Sequence, residues 1–79
     1  MSLHERDHSV ELIGDCGFED AEPLLRRLTA SPATLVDVTG CERVHAAVIQ
    51  VLLASGAEIR GPFAGRFLRS MIGPLLPRR

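Results

Sequence analysis

The sequence predicts an α/β domain: a small, mainly parallel sheet in the order β-α-β-α-β-α. Three observations carry that reading. Short β-branched runs alternate with stretches of helical period, residues 34–56 read as a buried strand, a tight loop and a buried helix in one run, and 79 residues hold one domain and no more. Alternation at this spacing argues for parallel strands joined by right-handed crossovers. A chain of this length buries only about 60 to 65 per cent of its unfolded surface, so a partner or a second copy would add stability.

Residues 1–8 are polar, carry His4 and His8 and show no period, which predicts a flexible tail, with the domain proper spanning residues 9–79. Val10, Leu12 and Ile13 before Gly14 mark a first short strand that ends in a turn over residues 14–17. Ala21, Leu24, Leu25 and Leu28 then lay an apolar stripe on a helix whose other side shows Glu22, Arg26 and Arg27. Asp20 suits its N-cap, Pro23 falls in the first turn where a missing N–H is harmless, and Pro32 ends it.

Leu35, Val36 and Val38, with Asp37 between them, suit a strand enclosed on both faces. Thr39 and Gly40 end it, and the next residues form the loop into a helix. Val44, Ala47, Val48, Val51 and Leu52 recur at helical spacing, with a second apolar stripe of Ala46, Ile49 and Leu53 beside them. Gly56 fits a left-handed C-terminal cap. Ile59 centres a third strand over residues 58–60, stopped by Gly61 and Pro62. A third amphipathic helix follows over about residues 64–72, its stripe set by Phe63, Phe67, Met71 and Leu75.

Composition excludes several function classes. Net charge is −1 and the basic residues are scattered, so no phosphate-tracking patch exists, and nucleic acid is not an expected partner. Without Trp or Tyr there is no stacking platform for single-stranded bases. The longest apolar run, residues 44–54, is broken by His45 and Gln50 and falls short of the roughly 20 residues that span a bilayer, so direct membrane insertion is not expected. Nor do the polar, charged first residues resemble a signal peptide, which makes the cytoplasm the expected compartment. Cys16 and Cys41 are too few for a disulfide framework and read as reduced thiols. His4 and His8 lack companion ligands, so no metal or other cofactor is expected.

Over residues 10–72 the order of elements resembles the STAS family, the sulfate-transporter and anti-sigma-factor-antagonist domains. In that family a strand ending in a Gly turn precedes an amphipathic helix. A strand of the form apolar-Asp-apolar-Ser/Thr-Gly follows, then a short loop, and Asp-Ser-Ser/Thr-Gly opens an apolar helix. Leu12-Ile13-Gly14 looks like the first turn, Val36-Asp37-Val38-Thr39-Gly40 like the second strand, and residues 44–54 like the helix. The four signature positions fall on His45, Ala46, Ala47 and Val48, so Ala47 stands where the family carries its phosphorylatable hydroxyl. Phosphorylation there is chemically impossible. The usual opening hairpin is reduced to one strand and the closing elements are shortened, as in a minimal, diverged member.

The resemblance implies a regulatory, non-enzymatic role. Such domains dock on an anti-sigma kinase or other ATPase through the loop and helix start after the second strand. Some sit on the nucleotide-binding subunit of a lipid transporter. Carried onto this sequence, the docking residues are Gly40, Cys41, Glu42 and Arg43 of the loop with His45, Ala46 and Ile49 of the helix start.

Residue chemistry sets alternatives beside that reading. The loop lies at the carboxyl end of a strand, where open parallel sheets place ligand sites, so a nucleotide or metabolite sensor is the second hypothesis. His45 in the first helical turn suits a neutral capping side chain, a partner contact or a phosphoryl acceptor. Thr39 is the nearest remaining hydroxyl and a weak candidate for modification, its plainer role being to finish a strand. Asp37 in an apolar strand needs backbone N–H partners. Cys41 ahead of a helix start could be a reactive thiol with His45 as its base, or simply a small buried residue. The exposed face of the central helix could also join two copies as a homodimer.

Overall fold

The structure, a computed structural model, describes residues 2–66. Four strands form one mixed sheet in the order β1-β2-β3-β4: β1 (Leu3–Glu5), β2 (Ser9–Cys16), β3 (Leu35–Val44) and β4 (Ile59–Arg60). β1 runs antiparallel to β2, and β2, β3 and β4 are mutually parallel. Helix α1 (Ala21–Ala30) links β2 to β3 and α2 (Ala46–Ser55) links β3 to β4. Of the expected third helix, residues 67–72 lie outside the described residues, and Ala64 and Gly65, where it was to begin, form a bend and not a helical turn.

The core explains this arrangement. Val10 and Leu12 of β2, Val36 and Val38 of β3, and Ile59 of β4 turn to one side and are buried against Leu24 and Leu28 of α1 and Val48 and Leu52 of α2. Both helices therefore cover the same face. On the opposite face the strand registers align His4, Glu11, Asp37 and Arg60 in a row across the four strands. The central strand was expected to be enclosed on both faces; among the described residues it is covered on one, and its outward positions Leu35 and Asp37 are only half-buried.

Residues 1–8 are not a flexible tail over their described part. Leu3 pairs with Leu12 and Glu5 with Val10, burying Leu3 at the edge of the core. Ser2 extends the edge: its carbonyl accepts from Ile13 N–H at 2.9 Å and its hydroxyl donates to Asp15 O at 2.6 Å. A strand with a single apolar residue has no period to detect, because its stability comes from the neighbour it pairs with. The opening hairpin is thus present, where one strand was expected.

Residues 39–43 continue β3 and do not form the expected loop. Ten residues of β3 lie against eight of β2, so two are extra, one between Asp37 and Gly40 and one at Glu42. These are bulges, which break the two-residue alternation without ending the ladder. Buried positions therefore run Val36, Val38, Cys41. Asp37 secures the first bulge, its Oδ1 accepting from Thr39 N–H at 2.9 Å and from Thr39 Oγ at 2.6 Å. The carboxylate finds the backbone N–H expected of it, though it lies among the polar residues of the outward face and not in an apolar setting. On β2, Gly14 takes the left-handed conformation at φ 68°, which its sequence slot tolerates without strain.

Ends are fixed locally. Asp20 is buried, but its Oδ2 accepts from Gly17 N–H at 3.1 Å and closes a short 3-10 turn, Phe18–Asp20, so its side chain does not cap α1 as expected. Gly56 ends α2 at φ 67°, as its position predicted. After β4, Phe63 enters the core, and Ala64 and Gly65 both donate to Cys41 O, at 3.0 and 3.3 Å. Arg27 is no solvated residue: it donates to Thr34 Oγ1, Glu5 Oε1 and the carbonyls of Arg6 and Asp7, tying α1 to the β1-β2 turn.

Candidate functional site

The carboxyl ends of β2 and β3 lie side by side, so the residues that leave them meet. Cys16 O accepts from His45 N–H at 2.9 Å, which locks the exit of β3 to that of β2. Past this bond the chain turns at Gly17 into Phe18 on one side and enters α2 on the other. The rings of Phe18 and His45 then pack edge to face, centroids 5.5 Å apart at 73°. Phe18 is 68% exposed all the same. An aromatic ring held against a neighbour yet open to water has apolar surface left to bury.

His45 is the N-cap of α2. Its backbone is extended (φ −71°, ψ 149°) and its Nδ1 accepts from Ala47 N–H at 3.0 Å, which requires an unprotonated Nδ1. Asp, the residue of the resembled family at this position, is a better acceptor for the same job. His45→Ala is expected to cost about 1 kcal/mol in urea unfolding and His45→Asp to restore the loss; an unchanged alanine variant would show that the ring does not cap.

Phe18 stands at one end of a groove of about 730 Å³ between α1 and α2. Ala21, Leu25, Ala47, Val51 and Ala54 make its apolar walls, with Glu19, Glu22 and Gln50 as polar members. Leu25 is 48% exposed here, because Leu24 and Leu28 already fill the core side of α1 and a helix cannot turn three consecutive faces inward. The alanines of α2 keep the groove open.

The expected docking residues divide. His45 and Ala46 are exposed at the helix start and Ile49 is half-buried one turn on. Glu42 and Arg43 are exposed on the last part of β3, Arg43 lying 3.9 Å from Asp15 in a solvent-exposed pair. Gly40 sits opposite Ile13 in the sheet, on the face away from the helices. Cys41 is wholly buried, so it can touch no partner and cannot act as an exposed nucleophile; its Sγ contacts Cys16 Sγ and Arg43 O, while His45 Nδ1 is occupied by Ala47. Ala47, without a hydroxyl, lines the groove. Thr39 is exposed, but its hydroxyl is held by Asp37.

Sequence reasoning missed Phe18 and Leu25. The available signal was a lone aromatic just after the Gly17 turn, outside every helical stripe. Among the described residues no helix is long and apolar enough to cross a membrane, and no three His, Cys, Asp or Glu side chains gather as metal ligands. No family model, curated protein or solved structure matches the chain.

Proposed function

We propose that this chain is a regulatory docking module of the STAS type, which binds a kinase-like or ATPase partner without phosphorylation at the customary position. The observation that carries this is Phe18, exposed at the mouth of an apolar groove and braced by His45. The groove is lined by Ala47, the position at which the resembled family bears its hydroxyl, so a partner reading that helix start would meet Phe18 as well. The antiparallel opening hairpin and the bulged β3 running into an N-capped helix add to the resemblance. In this reading the module works in the cytoplasm, and its partner is either an anti-sigma kinase or the ATPase of a transporter. It is no enzyme: it offers surface, and the partner supplies chemistry.

Affinity capture from native lysate tests the proposal, with wild type set against Phe18→Glu/Leu25→Glu, both sites exposed enough to leave folding intact. A nucleotide-binding regulatory protein retained by the wild type and lost by at least tenfold in the variant is expected. Equal retention by both would place the docking surface elsewhere. A second reading, a small-ligand sensor, draws on the groove's size, which falls within the roughly 300–1,000 Å³ of small-molecule sites. Under that reading nucleotides or metabolites raise the melting temperature without any protein partner.

A further inference from the structure

Cys16 and Cys41 are the only cysteines of the chain, and the fold brings them together in the core with their Sγ atoms 3.9 Å apart. Either alone would be an ordinary small apolar residue. Their contact makes a dithiol, and neither docking nor ligand binding uses it. We propose that the pair is a modification site, converted by a small oxidant into a reversible Cys16–Cys41 disulfide that staples β2 to β3. The proposal rests on core geometry and stands apart from the docking reading.

A disulfide holds its sulfurs about 2.05 Å apart, so closure requires the two to approach by roughly 2 Å. The backbone has the means nearby. The β3 bulges, one between Asp37 and Gly40 and one at Glu42, flank Cys41, and Gly14 in its left-handed conformation stands two residues before Cys16. Unlike regular ladder positions, bulged ones carry a residue outside the ladder pairing.

The two sulfurs are not equivalent. Cys41 S–H donates towards Cys16 Sγ, which holds the Cys16 thiol below its ordinary range, against burial and the carboxylates of Asp20 and Asp15. The same contact, reinforced by burial, pushes the Cys41 thiol up. Cys16 can attack with Cys41 resolving, and the reverse order gives the same disulfide.

With hydrogen peroxide as the oxidant, the Cys16 thiolate attacks one peroxide oxygen, breaking the O–O bond and releasing hydroxide, which takes up a proton to become water. Cys16 is left as a sulfenic acid. Cys41 sulfur then attacks Cys16 sulfur; the sulfenic oxygen leaves as a second water, carrying the Cys41 proton. Two thiols and one peroxide give one disulfide and two waters. With Cys16 2% and Cys41 0% exposed, only a small oxidant reaches them, and reaction is slower than for a free thiol in water.

The test treats the full chain with graded hydrogen peroxide and follows intact mass, thiol count after unfolding and a non-reducing peptide map. Expected are a monomer lighter by two hydrogens, both thiols lost together, a cross-linked peptide pair containing Cys16 and Cys41, a higher melting temperature, and full reversal by dithiothreitol. In Cys41→Ala, dimedone present as the peroxide-treated chain is unfolded in urea should instead trap a sulfenic acid on Cys16. Should that variant fail to fold, the wild-type peptide map decides alone. Covalent dimers, oxygen adducts without the cross-link, or thiols that stay reduced when glutathione under the same peroxide is fully oxidised would each overturn the proposal.

Discussion

Phe63→Ala is expected to destabilise the chain by about 3–5 kcal/mol, the range for removing a buried aromatic from a core. Phe63 is 2% exposed and is the largest of the fully buried side chains among the described residues. It anchors residues 61–66, whose Ala64 and Gly65 amides both reach Cys41 O, and a Cβ on Gly65 would collide with the backbone of Glu42. Removing the ring therefore leaves a cavity and frees the segment that covers the second β3 bulge. Domains hold about 0.05–0.15 kcal/mol per residue, so so short a chain loses a large share of its stability. Urea titration reads the loss as a lower midpoint, and Phe63→Leu should recover most of it. A midpoint shift worth under about 1 kcal/mol would show that Phe63 is not seated in the core.

Arg27→Met should cost about 2–3 kcal/mol, on the scale of hydrogen bonds made by a charged donor. The Arg27 side chain is only 15% exposed, and its Nη2 donates to Arg6 O at 2.6 Å and Asp7 O at 3.1 Å. Its ion pair with Glu5, at 3.0 Å, contributes little, since Glu5 is 56% exposed and the pair is screened by water. The larger part comes from the two turn carbonyls and Thr34, which lose a planar donor that reaches all of them. Arg27→Lys should restore a minor part, because a single ammonium lacks that fork. Faster amide exchange at β1 and the β1-β2 turn should accompany the loss. Equal stability of Arg27→Met and wild type would mean that the strap is not formed in solution.

Both residues show where the sequence was legible and where it was not. Helix α2, its stop at Gly56, the start of β3 and the inward positions of β2 follow from period and backbone preference, which are local. Phe63 was assigned to a helical stripe, and Arg27 to a solvated face, because what each touches lies far along the chain. β1 has one apolar residue and is a strand only by pairing with β2. The β3 bulges disguise strand as loop, since the alternation fails where the ladder continues. For the site, the same locality pointed to the start of α2 and placed His45 well, but it could not set Phe18 and Leu25 beside it. Those come from another element, and only the parallel pairing of β2 with β3 brings their ends together. The contact of Cys16 with Cys41, 25 positions apart, was invisible for the same reason.

Photocrosslinking tests the docking claim most directly. A benzoyl-phenylalanine replaces Phe18 in one version and Ile13, on the opposite sheet face, in another, and both are irradiated in native lysate. An adduct with a kinase-like or ATPase protein is expected from position 18, diminished in the presence of Leu25→Glu, and none from position 13. Adducts confined to position 13, or the same adducts from both positions, would contradict the docking claim.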